Sequence, residues 1–404
     1  MARDRTANSV LSLLLAGEPT PFVPVEPLYG WPESLLIELR WQKWSHRLRE
    51  AGTERLAVDY RTYFEVEAGV YADLLDACYP PPVSIELPVV KTAHEVAGCA
   101  VERRDDALFW LDPDGEATWL PPDGQAASEA RVADRSEKLA TVWESHLDQY
   151  DTGDGGGREA PPSANGTPVQ AAEVEAMLAS GRYRLAQELP RRFAGKLGFH
   201  LWEYAPYENL LKLGFQGMME AFVERPKLVH RLLEEGIPQR SASLEAAYAV
   251  GVRVIFLEET LSSADVISPA MYREFSLPYA KRALEFYRDQ GFFTIYYFTG
   301  NLMPLLGDLR ELPFDALAFE EDRKGYGIDL AKVRRIVGSD RVLFGNIDAL
   351  FLETASDREL LLEVRRQIAV GGPADRFVVS TGSPLTPRTT RERLRFFVES
   401  TRSR

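Results

Sequence analysis

Apolar residues in the C-terminal half of this chain follow a repeating pattern. Short β-branched and aromatic runs recur at residues 252–257, 293–297, 316–319, 342–344 and 377–379, each followed by apolar positions at helical spacing. Strands separated by helices of ordinary length predict a parallel α/β fold, because a parallel pair needs a long crossover. Punctuation marks the helices. Ser268-Pro269 reads as an N-cap followed by proline at the first helical position. The helix beginning at Asp329 stops at Gly338, and Ser356-Asp357-Arg358-Glu359 forms a capping box for a helix ending at Gly371-Gly372. Thr389-Thr390-Arg391-Glu392 reads as a second capping box.

The N-terminal half is less regular. Residues 22–27 predict a first strand and 31–51 a helix. Residues 99–119 alternate and turn at Asp112-Pro113-Asp114-Gly115, which predicts a β-hairpin insertion over 97–120. Residues 150–168 are dominated by Gly, Pro, Ser and Asp and predict a flexible loop. Gly153-Asp154-Gly155 is no dinucleotide fingerprint, since neither a strand nor a helix flanks it directly. The chain has no internal repeat. The expected fold is a single α/β domain over 1–404, a (β/α)8 TIM-type barrel closed by pairing of strands 23–26 and 377–379.

Composition narrows the partners. The 404 residues are 45% hydrophobic and 27% charged, ordinary for a soluble globular protein with a large core. A formal net charge of −14 argues against nucleic acid and anionic membranes, which need a basic surface. A small-molecule substrate is the expected partner, and a homodimer is one of the assembly states left open. The two cysteines, Cys78 and Cys99, are too few for a disulfide framework and fit a cytoplasmic protein. No apolar run approaches the ~18 residues of a membrane span. The short run at 10–15, preceded by Arg3-Asp4-Arg5, reads as an amphipathic helix rather than a signal peptide.

In such barrels the active site lies at the C-terminal ends of the strands. Polar residues collect there: Glu258-Glu259, Tyr297 through Asn301, Glu320-Glu321 with Lys324, Asn346 with Asp348, and Ser380 through Ser383. Adjacent residues on a strand face opposite sides, so at most one glutamate of each pair enters the mouth. A carboxylate from each of two strands can hold a cation, act as acid and base, or bind an amine; a solvated carboxylate pair is the competing reading. Of the five histidines, only His200 lies near a candidate strand end. No spacing suits a helical zinc site, and no nucleophile-elbow serine is present.

One string carries a family resemblance. Residues 265–279, DVISPAMYREFSLPY, resemble the ISP-x-x-(F/Y)-x-x-F-x-x-PY segment of the uroporphyrinogen decarboxylase superfamily. Gly300-Asn301, Leu343 through Asp348, and Ser380-Thr381-Gly382-Ser383-Pro384 with Thr386-Pro387 follow in that family's order. The resemblance covers roughly residues 205–400, and earlier residues match only through Val23-Pro24-Val25. It implies a barrel enzyme, either a cofactor-free decarboxylase or a zinc-dependent corrinoid methyltransferase. The departures are informative. Where the methyltransferases keep His-x-Cys-Gly and a later Gly-Cys for zinc, this chain has Tyr297-Phe298-Thr299-Gly300 and Ser383. The decarboxylase's Arg-Gln-Ala-Gly-Arg motif and late Gly-His are absent too, while its strand-end aspartate has a counterpart in Glu258 or Glu259.

The leading expectation is a lyase of carboxy-lyase type acting on a small polar molecule other than uroporphyrinogen. Its acid–base groups would come from Glu258, Glu259, Tyr297, Glu320, Glu321 and Asp348, and Asn301, Asn346, Ser383, His200 and Lys324 would bind substrate. No cofactor is expected, since a metal lacks its usual ligands here. The alternatives are a methyltransferase or demethylase with a non-standard metal site, and a non-catalytic binding subunit.

Overall fold

Twelve strands organise the chain in the computed structural model, which describes residues 15, 25–26, 33–77, 84–124, 128, 143–150, 169–193, 197–322, 325–372 and 376–402. Eight of them run parallel: β1 (Val25–Glu26), β3 (Ser84–Glu86), β7 (Gly198–Tyr204), β8 (Val254–Glu259), β9 (Phe293–Phe298), β10 (Ala316–Phe319), β11 (Val342–Phe344) and β12 (Phe377–Ser380). Their lateral order is β1-β12-β11-β10-β9-β8-β7-β3. From β7 onward each strand lies beside its predecessor in the parallel series, and the first pairs with the last, Val25 opposite Val379 and Glu26 opposite Ser380. That is the circular order of a TIM-type barrel. Among the described residues no ladder joins β1 to β3.

Alternation along the strands divides the core in two. Val254 and Phe256 of β8, Phe293, Ile295 and Tyr297 of β9, Ala316 and Ala318 of β10, and Phe344 of β11 fill the barrel interior. The intervening Ile255, Leu257, Tyr296, Phe298, Leu317 and Phe319 pack outward against the helices. Both faces of β8 to β12 are buried, which explains why the sequence reads as unbroken apolar runs there. Polar side chains can therefore gather only past the strand ends.

The expected caps are present with one shift. Ser268 accepts from the Met271 amide, and Ser356 and Glu359 complete a reciprocal capping box. The last helix, Arg391–Ser400, is capped by Thr390 rather than by Thr389, whose hydroxyl instead meets that of Thr386. After Ser268 the chain makes a π-helical turn over Tyr272–Ser276 that buries Tyr272, Phe275 and Ser276.

Residues 97–120 hold more than the expected hairpin. β4 (Ala100–Arg104), β5 (Ala107–Leu111) and β6 (Ala117–Leu120) form a meander, and β2 (Arg55–Ala57) adds a fourth antiparallel strand beside β4. The overlooked turn is at Asp105, which takes a left-handed conformation with φ 54. Two charged residues, Asp105 and Asp106, make that turn without a glycine to signal it. Apart from Tyr150, the expected flexible loop lies outside the described residues.

Candidate active site

β8 ends by sending its two glutamates in opposite directions. Glu258 continues the inward face of Val254 and Phe256 and enters the barrel mouth, where the Trp202 indole N–H donates to Glu258 Oε2 at 2.7 Å. Trp202 stacks on Phe256 with centroids 4.5 Å apart and meets Tyr297 edge-on at 6.1 Å, so the indole is fixed from below. Glu259 faces the helices and is buried. Its oxygens accept from Ser276 Oγ at 2.8 Å, on the π-helical turn, and from the Tyr296 hydroxyl at 3.1 Å.

Burial pushes the Glu258 carboxyl up to about 7, opposed by the Trp202 hydrogen bond and reinforced by the negative charges of Glu208 and Glu320. Glu259 is also pushed up to about 7, chiefly by burial, with its hydroxyl donors pulling the other way. The two carboxyls titrate in the same range for related reasons, but only Glu258 faces the barrel mouth.

β10 divides its glutamates in a similar way. Glu320 Oε2 accepts from the Gly300 amide at 2.9 Å, which ties β10 to the loop after β9 at the mouth. Glu321 is buried and accepts from Ser383 Oγ at 3.0 Å. Gly300 sits at φ 81, and a Cβ there would stand 2.2 Å from Ser263 Oγ. Only glycine fits that corner.

The other candidates separate from the mouth. Tyr297 donates its hydroxyl proton to the Gly382 carbonyl at 2.8 Å and is almost wholly buried, so it straps β9 to the loop after β12 instead of offering a proton to substrate. His200 lies inside the barrel beside Phe256, two pleats below Glu258, and burial holds it neutral, down to about 3. Asn346 is buried, donating to the Glu320 carbonyl and accepting from Gln367. Asp348 caps the helix Ala349–Thr354 through the Leu350 amide, and Asn301 caps a short turn through the Met303 amide. Glu321, Asn346 and Asp348 line a separate cavity of about 430 Å³ with Phe351 and Arg366. Lys324 lies outside the described residues.

Two site groups escaped sequence reasoning. Trp202 gave no signal beyond its place on the inward face of β7. Glu208 sits in the 3-10 segment Pro206–Leu213, which folds over the ends of β7 and β8; its buried Tyr207, Leu210 and Leu213 recur every three residues, a period that neither the strand nor the α-helix pattern reveals. Its Oε1 accepts from the Thr260 amide at 2.9 Å and from the Thr260 hydroxyl.

The positions where zinc-binding relatives keep thiol and imidazole carry hydroxyls with other uses here. Tyr297 donates to Gly382, Ser383 to Glu321, and Thr299 to the Glu259 carbonyl at 3.3 Å. Hydroxyls bound in this way do not fit a zinc site. Among the described residues no three His, Cys, Asp or Glu side chains are grouped to hold a metal.

Fold and site together define a TIM-type barrel with carboxyl groups gathered at its strand ends. Residues 207–404, the C-terminal half of the chain, match the family model of uroporphyrinogen decarboxylase, and it is this half that is similar to that superfamily. A uroporphyrinogen decarboxylase of Gloeobacter violaceus is 28% identical over 191 residues, 45% of this chain and 50% of that protein. The methylcobamide:CoM methyltransferase MtaA of Methanosarcina barkeri is 23% identical over 188 residues, 46% of this chain and 52% of that protein. The chain thus spans about half the length of the curated relatives it matches. A methyltransferase structure from Methanosarcina mazei superposes over 98% of both chains with TM-score 0.56 at 17% identity, which extends the shared fold to the N-terminal half. Among the described residues no helix is long and apolar enough to cross a membrane.

Proposed function

We propose that this protein is an acid–base enzyme of lyase type that takes a small polar molecule in the barrel mouth, with Glu258 as its proton donor. One observation carries the reading: Glu258 is the inward-facing strand-end carboxyl, and at about 7 it is half-protonated near neutrality, where a general acid works best. In a decarboxylation the C–C bond to the leaving CO2 breaks and its electron pair stays on the substrate carbon. The Glu258 O–H delivers its proton there, leaving a carboxylate that the Trp202 N–H stabilises, and solvent restores the proton. Glu320 and Glu208 raise the cost of that carboxylate and so favour its reprotonation. Glu259 and Glu321 face away from the mouth, and Tyr297 and Asp348 are occupied with backbone partners, so the reading leaves these four out of the chemistry.

Methyl transfer, the activity named for the Methanosarcina barkeri relative, is the second reading. The hydroxyls of Tyr297, Thr299 and Ser383 count against a zinc-activated thiol, and no step is routed through a metal. We expect far less than one zinc per chain in protein purified without chelator; about one zinc by elemental analysis would reverse the preference. The direct test identifies the molecule that co-purifies with the protein by mass spectrometry and follows CO2 release from it. Glu258→Gln should lower the rate by about 10²-fold or more with the fold intact, and a variant at wild-type rate would sink the assignment.

A further inference from the structure

Glu208 exchanges no proton in the step above, yet its placement is specific. It lies on the segment that covers the ends of β7 and β8, and both donors of Thr260, the residue following β8, converge on one of its oxygens. The β7–β8 ladder ends beneath it, Tyr204 opposite Glu258, with the Ala205 amide donating to the Glu258 carbonyl at 2.7 Å. The 3-10 turn therefore begins directly where Glu258 is held. We propose that Glu208 is a positioning residue whose anchored carboxylate keeps the proton on Glu258. The proposal rests on the reading of Glu258 as the acid.

The physical argument is one of ordered ionisation. Two carboxyls close together in a half-buried site do not both ionise easily, and the one with better donors ionises first. Glu208 has two donors on one residue, against the single indole N–H on Glu258. Burial raises Glu208 as well, but the Thr260 bonds oppose it, and Glu258 is the carboxyl carried to about 7. The other titratable groups facing this pair are Tyr207 and Lys212 on the same segment, Glu259 on β8, Glu320 beyond β10, and Tyr272 on the π-helical turn beyond Glu259. Glu320 is also a neighbouring carboxylate, held at the loop after β9 by the Gly300 amide. Replacing Glu208 should therefore move the Glu258 titration with no change to the mouth lining.

Trp202 supplies a readout that needs no substrate, because an indole bonded to a carboxyl changes its emission when that carboxyl gains a proton. Fluorescence is titrated from pH 4 to 9 for the full chain, and the matching curve of Trp202→Phe is subtracted to isolate Trp202. The expected result is a transition near neutrality in the wild type that disappears in Glu258→Gln. In Glu208→Gln it should shift down by about one pH unit, since a like charge has been removed. Glu208→Asp should restore part of the shift. Thr260→Val, which removes one anchor while keeping the amide, should shift it down by a smaller amount and guards against a poorly folded glutamine variant. A Glu208→Gln protein with a normal circular-dichroism spectrum and an unmoved transition overturns the positioning role alone. A wild type with no Trp202-dependent transition, or a Glu258→Gln protein that retains it, overturns this inference together with the reading of Glu258 as the acid.

Discussion

At the scale of single residues, pH dependence separates the two glutamates of β8 from ordinary surface carboxylates. Glu258 titrates at about 7 in the fold against 4.5 as the ordinary value expected in the unfolded chain, so the folded state binds the proton more tightly. Its contribution to stability is complete below about pH 4.5 and is lost as the pH rises through 7. Glu258→Gln, which is always neutral, should melt with the wild type in acid and above it in mild alkali, by on the order of 1–3 kcal/mol. Thermal melts between pH 4 and 8.5 check this, and a gap that does not change with pH would refute it. Glu259 should behave differently when truncated. Glu259→Ala leaves the Ser276 and Tyr296 hydroxyls without their buried acceptor, and about 2 kcal/mol or more should be lost. Glu259→Gln keeps an acceptor oxygen and should cost less; equal losses in the two variants would show that those bonds contribute little. The sequence made clear that at most one member of each glutamate pair faces inward, because strand alternation is strict. It could not say which one, since that depends on the register of β8 against β7 and β9.

At the scale of elements, the local signals that proved reliable were those with their own chemistry. The Ser268 and Ser356 caps, the Asp329 cap and the Gly338 stop needed no tertiary context. The three-stranded meander was read as one hairpin because its first turn uses aspartates, and the 3-10 segment carrying Glu208 repeats every three residues, outside the strand and α-helix periods. Both failures share a physical cause: the geometry is imposed by neighbours that are distant in sequence. Gly300 is the opposite case, a residue whose role is set by its own backbone. Gly300→Ala would need φ near 81 and would collide with Ser263 Oγ and Asp265 Oδ1. It should lose at least about 1 kcal/mol for the left-handed conformation alone. The bond from the Gly300 amide to Glu320 should loosen as well. Loss of stability without any change in Glu258 titration would show that the loop after β9 does not reach the mouth.

At the scale of the whole molecule, the barrel order was legible because five strand-and-helix repeats and the family motifs lie in the C-terminal half. The N-terminal strands were harder to place, since β1 and β3 are only two and three residues long in the described structure and are surrounded by inserted structure. The same asymmetry governs how the fold can assemble. Ladders from β7 to β12 join strands separated by a helical crossover, while β3 reaches β7 across strands β4 to β6 of the antiparallel sheet and β1 pairs with β12. Loop-closure entropy makes distant pairings late ones. Pulse-labelled hydrogen exchange during refolding should therefore protect β8 to β11 before β3, and simultaneous protection would contradict this order. On the ribosome the order of synthesis runs the other way. β1 emerges before the other barrel strands and meets its β12 partner only after nearly all the described chain has been made, so the nascent protein has a long interval in which chaperones or proteases can reach that strand before this ladder forms.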